Sequence, residues 1–274
     1  MSKLVRLEYP RDGVALLVLA APEIGNFGSF AALDELSAAA TAAREAGARV
    51  VVLASGLEDH GFEHAWLQDL LAMYSGETTS GSGLGWFTLL EEMKRPEVVY
   101  MAAIGGDCSG GGAEIVWACD LRVVEGQVCF SQPEVQIHLA TGVGGTCRLL
   151  RLIGATATAE MVLDGRPMTA SRLHGLGAIN RLVGRGEAVA TAIEWAGHIA
   201  SRPAPALRTL KEMLIAAQNL PLEEAMANEQ RLFQELVATQ DAQARMREIQ
   251  QRFDRGETPR QVYGEPDPRA GQKR

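Results

Sequence analysis

Apolar residues recur in two spacings, as short continuous runs and as helical repeats, and the two alternate through the first part of the chain. Runs from Leu4 to Tyr9 and from Val14 to Ala20, joined by a Pro-Arg-Asp-Gly turn, predict a β-hairpin. An alanine-rich segment with helical spacing, 30–46, stops at a glycine and predicts a helix, and 49–55 predicts the next buried strand. Strand, strand, helix and strand in this order indicate a layered α/β architecture.

The pattern changes towards the C-terminus, where helical spacing replaces the short runs. Residues 75–85 have loop composition and we expect them to be mobile, while 86–94 predicts a helix. From residue 187 onward every element is predicted to be helical, in four segments: 187–201, 205–218, 222–239 and 241–254. We therefore expect a core at 1–200, a helical region at 201–256 and a flexible tail at 257–274.

The stretch from Val98 to Gly145 carries most of the candidate chemistry. An apolar run ends in two glycines, Gly110-Gly111-Gly112 follows, and a helix-competent segment starts directly after it. A strand, a glycine-rich turn and a helix point free backbone N–H groups into a cleft at the helix N-terminus. Glu114 lies inside that helix and Glu134 follows a second short β-like run. Amides beside two carboxylates indicate an enzyme that stabilises an oxyanion and moves protons.

Composition narrows the class of protein. The chain has 274 residues, 47% of them hydrophobic and 22% charged, which suits a core-forming protein. A net charge of −8 disfavours a nucleic-acid surface, and no apolar run is long enough to span a membrane. The N-terminus lacks a secretory leader pattern, and four cysteines at 108, 119, 129 and 147 match no zinc spacing. We expect buried free thiols and a cytoplasmic protein.

The block from 95 to 183 resembles the crotonase superfamily, the enoyl-CoA hydratase/isomerase family. The matching motifs occur in the family's order: R-P, S-G-G-G-A-E, A-C-D-L-R, F-S-Q-P-E-V, G-V-G-G-T-x-R-L-x-R-x-I-G and L-D-G-R-P-M-T-A. The resemblance implies an α/β fold, a spiral of repeated ββα units followed by a helical C-terminal oligomerisation region. It also implies a homotrimer, or a hexamer formed as a dimer of trimers.

The resemblance also implies roles for individual residues. Glu114 and Glu134 occupy the two acid–base positions, and the backbone N–H groups of His64 and Gly111 form the oxyanion hole. The substrate-binding residues implied around them are Glu63, Ala65, Trp66, Gly110, Gly112, Pro133, His138 and Gly142. The family loop of type F-x-A-G-x-D-L reads here F-E-H-A-W-L, and its bulky residues are expected to reshape the acyl pocket.

The implied activity is hydration of the 2,3 double bond of an enoyl-CoA thioester, with coenzyme A as part of the substrate and no metal or other cofactor. Three alternatives within the family are isomerisation, thioester hydrolysis and C–C bond hydrolysis, and a fourth is an inactive CoA-binding homologue. Residues 60–64 also satisfy H-x-x-E-H, a zinc-protease pattern that requires a helix. The glycine run satisfies neither the dinucleotide fingerprint nor the phosphate-loop pattern.

Overall fold

A computed structural model of the chain describes residues 3–264, and the chain divides after Arg208 into two compact units. The described residues form eleven strands, in chain order β1 Val5–Arg11, β2 Val14–Leu19, β3 Phe27–Gly28, β4 Val50–Ser55, β5 Glu63–Ala65, β6 Val99–Ile104, β7 Cys108–Ser109, β8 Leu121–Glu125, β9 Cys129–Ser131, β10 Met168–Thr169 and β11 Arg181–Val183. Short 3₁₀ turns occur at Pro22–Ile24 and Pro133–Ile137.

The helices of the first unit separate these strands and continue past them. They are α1 Phe30–Glu45, α2 Leu67–Ser75, α3 Gly85–Met93, α4 Gly110–Ala118, α5 Gly145–Asp164, α6 Ala170–Gly175, α7 Ala188–Ala200 and α8 Ala204–Asn219, the last of which extends beyond Arg208. Gly154 interrupts α5 with non-helical backbone angles, φ 75° and ψ 171°. The helical segments on either side of this glycine are therefore two arms of one kinked element.

A six-stranded sheet in the order β1-β2-β4-β6-β8-β11 forms the centre of the first unit. Only the β1–β2 hairpin is antiparallel among its pairs, so each parallel step needs a crossover. Each crossover contains a short strand outside this sheet and then a helix: β3 and α1, β5 and α2, β7 and α4, β9 and α5. This recurring ββα unit confirms the predicted fold class.

The central strands are buried on both faces, which explains their continuous apolar runs. Leu17, Leu53, Tyr100 and Ile104 face one large cluster that contains α1, α3 and α4. The alternate residues of the same strands face a smaller cluster that is closed by alanines of α7, which lie four residues apart. Small side chains at this spacing form a flat stripe on the helix and let it pack closely on the sheet.

The segment between α2 and α3, predicted to be a mobile loop, is tied down by two aspartates. The Asp69 carboxylate accepts hydrogen bonds from the Ser80 amide at 2.7 Å, the Ser80 hydroxyl at 2.6 Å and the Phe30 amide at 2.8 Å. The Asp34 carboxylate accepts from the Ser82 amide and hydroxyl at 2.6 and 2.7 Å. Gly81 and Gly85 lie so close to the backbone of α1 that a side chain would clash there. The loop composition therefore reflects close packing and backbone capping.

The second unit is helical, with α9 Leu222–Val237, α10 Gln240–Asp254 and α11 Pro259–Tyr263 after the rest of α8. Helix α11 begins with a capping box between Thr258 and Gln261 and lies inside the predicted tail, whose residues 265–274 fall outside the described part. The predicted boundary after residue 200 falls in the turn between α7 and α8. Within residues 3–264, no helix combines the length and apolar character that a membrane crossing needs.

Candidate active site

Glu114 is a buried carboxylate on the first turns of α4, and backbone amides hold it in place. Its side chain accepts hydrogen bonds from the Gly142 amide at 3.2 Å, from the Val143 amide at 2.9 Å and from the Gly145 amide. The residue is 1% exposed, so these bonds replace water for the charged group. The loop before α5 thereby fixes both carboxylate oxygens, and it also keeps them in the wall of a cavity.

Glu134 lies on the 3₁₀ turn after β9, and its environment is the opposite of that of Glu114. Its Oε2 atom is buried and has no hydrogen-bond partner. Burial raises the pKa of this carboxyl and the nearby charge of Glu114 raises it further, while its own backbone amide lowers it. One carboxylate accepts hydrogen bonds from three amides, and the other has a raised pKa and one buried oxygen without a partner. Such a pair suits one general base and one general acid.

The start of α4 supplies amides next to these carboxylates. The first amides of a helix have no partner inside the helix, and no side chain caps this one. Gly110 has a φ of 45°, in the left-handed region, and a Cβ there would stand 2.7 Å from the Cβ of His64. A Cβ on Gly111 would meet the Trp86 ring at 3.0 Å. Glycine is therefore required for the close approach of α4 to its neighbours.

Strand β5 runs beside the start of α4, and its amides point in different directions. The His64 amide donates to the Ser109 hydroxyl at 3.0 Å, and the His64 ring packs edge-on against Phe27. The Ala65 amide nitrogen lies 3.8 Å from the point where a Cβ on Gly111 would stand. The irregular pairing of β3 with β5 accompanies this change of direction. The residue predicted as an oxyanion donor thus directs its amide to Ser109, and its neighbour Ala65 lies closer to Gly111.

A chain of side chains continues from this strand to the surface. The Ser109 hydroxyl donates to Glu63 Oε2 at 2.5 Å, and Glu63 Oε1 lies 3.4 Å from His60 Nδ1. The zinc-protease pattern needs His60 and His64 one helical turn apart, but the segment is extended and includes β5. Across residues 3–264, no group of three or more potential metal-ligating side chains is found. The zinc interpretation is therefore wrong.

A cavity of about 500 Å³ joins the two carboxylates to an apolar chamber. Its walls include both catalytic candidates and the predicted residues His64, Ala65, Gly111, Pro133 and Gly142. The chamber is built mainly by residues that sequence reasoning did not assign to the site: Phe30, Leu67, Leu70, Met73, Tyr74, Trp86, Phe87, Ile137 and Leu139. The Trp86 ring fills the space between Gly28 and Gly111, where neither glycine has room for a Cβ. The arrangement fits a ligand with a polar reactive end and a bulky apolar end.

The remaining predicted residues lie beside this cavity and do not form its wall: Glu63, Trp66, Gly110, Gly112 and His138. Glu63 binds Ser109, and Trp66 packs against Phe27 with ring centroids 5.7 Å apart. A Cβ on Gly112 would come within 2.2 Å of the Phe62 carbonyl oxygen, so this glycine permits close packing of α4 on β5. His138 is exposed and ends the 3₁₀ turn with a φ of 61°.

The sequence also gave little signal for two supports of the site. The amides of Val143 and Gly145 hold Glu114, but backbone groups carry no side-chain signature. Asn26 is fully buried, and its side chain accepts from the Ala21 amide at 2.7 Å and donates to the Ser55 hydroxyl at 2.8 Å. Its φ of 59° is one that asparagine tolerates better than most residues.

The cysteines are all free, Cys108 and Cys119 buried but Cys147 exposed.

Comparison with known proteins places this geometry in a family. Residues 10–255 match the family model described as enoyl-CoA hydratase/isomerase. The chain is 30% identical over 234 residues to the crotonyl-CoA hydratase of Syntrophomonas wolfei, covering 84% of this chain and 88% of that protein. Similar solved structures include an enoyl-CoA hydratase from Bacillus anthracis, with TM-score 0.81, 27% identity and coverage of 93% and 98%. A probable enoyl-CoA hydratase/isomerase from Mycobacterium abscessus gives TM-score 0.76, 30% identity and coverage of 94% and 98%. The chain belongs to the enoyl-CoA hydratase/isomerase family of the crotonase superfamily.

Proposed function

We propose that this protein adds water across the 2,3 double bond of an enoyl-CoA thioester. The observation that carries the proposal is the pair Glu114 and Glu134, which line one cavity together with Gly111 and differ in their environments. Isomerisation needs one group to carry a proton between two carbons, whereas hydration needs a base for water and an acid for carbon. Two separately tuned carboxylates therefore favour hydration.

The thioester carbonyl would lie against the amides of Gly111 and Ala65. Gly111 offers an uncapped amide of the first turn of α4, and the Ala65 amide lies beside it. Charge develops on the carbonyl oxygen as the enolate forms, and fixed amides stabilise this charge more strongly than the neutral carbonyl. Each such donor contributes on the order of a hundredfold to the rate in other enzymes.

The proton transfers follow from the two carboxyl environments. Glu114, held in place by amides, accepts a proton from water as the water oxygen bonds to C3. The electron pair of the double bond moves to the enolate, which the oxyanion hole stabilises. Glu134 then donates its proton to C2, and the carbonyl is restored. The proton gained by Glu114 balances the proton lost by Glu134, so the pair needs only internal proton exchange before the next cycle.

The apolar chamber would take the acyl chain, and coenzyme A would be part of the substrate. The chemistry uses only carboxylates and amides of this chain, so we propose that no metal or organic cofactor takes part. We further propose a cytoplasmic homotrimer or a hexamer built from two trimers, in keeping with the family resemblance. Sedimentation of the purified protein measures the assembly directly, and a monomer would contradict it.

The test is hydration of a series of trans-2-enoyl-CoA thioesters, measured as loss of the enoyl absorbance. Product analysis must show the gain of one water and a hydroxyl group at C3. We expect turnover by the wild type and a loss of a hundredfold or more in Glu134→Gln, because general acid catalysis is removed. A product with a shifted double bond would instead show isomerisation, and free coenzyme A would show thioester hydrolysis. Turnover of no thioester, with coenzyme A still bound, would indicate the inactive homologue.

A further inference from the structure

Ser109 occupies the N-cap position of α4 but does not cap the helix. A serine at this position ordinarily accepts a hydrogen bond from the amide of the second or third helical residue. Here those residues are Gly111 and Gly112, and no side-chain cap bond to them is present. A cap bond to Gly111 would occupy the helix amide that the proposed oxyanion hole uses. The uncapped state is therefore a requirement of the proposed chemistry and needs a structural cause.

Glu63 provides that cause. The Ser109 hydroxyl donates its single hydrogen to Glu63 Oε2 at 2.5 Å and accepts from the His64 amide at 3.0 Å. Both bonds direct the oxygen towards β5 and away from the first turn of α4. Ser109 is 9% exposed and the Glu63 side chain 14%, so water competes little for the hydroxyl. A hydrogen bond to a charged acceptor is also stronger than a neutral cap bond.

We propose that Glu63 is a positioning residue that holds the Ser109 hydroxyl away from the α4 amides and so keeps the Gly111 amide available for the substrate carbonyl. This inference rests on the proposed function, because it concerns the same oxyanion hole. It reassigns Glu63 from the predicted substrate contact to a role that acts through Ser109. It also explains why a glutamate stands in this loop, since Glu63 is needed where Ser109 carries a hydroxyl.

The proposal predicts an unusual relation between two substitutions. Glu63→Ala removes the acceptor, and the Ser109 hydroxyl then turns to the α4 amides, so kcat for enoyl-CoA hydration should fall by about tenfold or more. Ser109→Ala removes the hydroxyl that would otherwise bind the Gly111 amide, so kcat should fall less than in Glu63→Ala. The double variant should equal Ser109→Ala and exceed Glu63→Ala in activity. Glu63→Gln keeps a hydrogen-bond acceptor and should recover most of the loss.

A second readout separates positioning from general damage. The 3-ketoacyl thioester acetoacetyl-CoA ionises to an enolate that absorbs in the ultraviolet, so the enolate absorbance in the presence of the protein measures how strongly the oxyanion hole stabilises it. Glu63→Ala should lower the bound enolate fraction at fixed pH, and addition of Ser109→Ala should restore it. Binding of coenzyme A alone, by calorimetry, should stay within twofold. Glu160→Ala, which breaks an exposed ion pair with Arg172, is the matched control and should behave as wild type.

Each outcome decides one question. Glu63→Ala within twofold of wild type in rate and enolate fraction would overturn the proposal while hydratase function stands. Losses in the double variant that add to or exceed those of Glu63→Ala would also overturn it, because they would indicate structural support only. A wild type that turns over no enoyl thioester refutes the proposed function, and the enolate measurement then tests the Glu63 inference separately.

Discussion

The two carboxylates predict opposite effects on stability for the same chemical change. Glu134→Gln and Glu114→Gln each replace one carboxylate oxygen by an NH₂ group and barely change volume. Both should abolish hydration, by about 10²- to 10⁴-fold for loss of a general acid or base. At 1.36 kcal/mol per tenfold, this corresponds to about 3–5 kcal/mol of transition-state stabilisation. Activity alone therefore cannot tell the two residues apart.

Stability should distinguish them, because their hydrogen-bond partners differ. Glu134 Oε2 is buried without a partner, and Glu114 raises its pKa through like charge. The amide in Glu134→Gln carries no charge, so it removes the cost of burying an ionised carboxylate, although one of its polar atoms still lacks a partner. We therefore expect the unfolding free energy and the Tm at neutral pH to rise.

Glu114→Gln should show the reverse. Amides of the 142–145 loop donate to both carboxylate oxygens, so an NH₂ group on either side faces another donor. Loss of a charged bond and exposure of an unpaired donor each cost about 1–3 kcal/mol. Together they cost at least about 2 kcal/mol, so we expect the Tm to fall by at least roughly 4 °C. Glu77→Gln, on an exposed position, should change neither rate nor Tm.

The pH dependence of the stability change in Glu134→Gln tests the assigned environments of the two carboxylates. A carboxyl whose pKa is raised by folding destabilises the protein only where it would otherwise be ionised. The gain in Glu134→Gln should be absent below the pKa of the unfolded chain and complete above the raised folded pKa. Thermal unfolding at several pH values, followed by circular dichroism, measures it. Destabilisation by Glu134→Gln at neutral pH, or stabilisation by Glu114→Gln, would refute the assigned environments.

Three further predictions test the site and its surroundings. The kcat/KM of hydration should fall at high pH as the proton is lost from Glu134, whose pKa is raised. Dehydration should show the same pH profile, because the overall reaction releases no proton. A kcat/KM that does not fall at high pH would contradict the acid role of Glu134. Gly112→Ala should prevent correct folding, since its Cβ would come within 2.2 Å of a backbone oxygen, whereas Gly175→Ala, with open space around it, should keep the wild-type Tm. Asp69→Asn should speed hydrogen exchange in residues 76–84 by weakening the bonds to Ser80, and unchanged exchange there would show that Asp69 does not hold the segment.

Much of the architecture follows from local rules. The continuous apolar runs of β4 and β6 are typical of strands buried on both faces, and the structure places both inside the central sheet. The α1 boundaries were predicted to within a residue at either end, because Ser29 caps its N-terminus and a glycine follows its last turn. The composition of 75–85 predicts a mobile loop, and the structure adds hydrogen bonds to aspartates that this composition does not indicate. The segment's serines and glycines bind aspartates that lie distant in sequence, and no local pattern contains that information.

In the candidate site, too, some residues could be predicted from the sequence and others could not. Glu114 and Glu134 could be predicted because family motifs contain them, and both line the cavity. The direction of the amides along β5 depends on an irregular strand pairing, which the motif alone does not specify. The chamber walls come from α1, α2 and α3, whose apolar residues have the same spacing as residues of an ordinary core. Only the fold shows which of these residues face a space and which face each other.

The family resemblance implies that Glu114 acts on water and Glu134 on C2, and the surroundings of the two carboxylates supply a physical reason for that division. Glu114 lies on a helix whose N-terminal turn carries partial positive charge. Its carboxylate, however, accepts hydrogen bonds from the amides of Val143 and Gly145, which are distant in sequence. Glu134 lies on a turn that buries its Oε2 atom, and this oxygen accepts no hydrogen bond. The same residue type thus receives different hydrogen-bonding surroundings from backbone geometry. Burial raises the pKa of Glu134 and the nearby charge of Glu114 raises it further, so the two roles depend on each other.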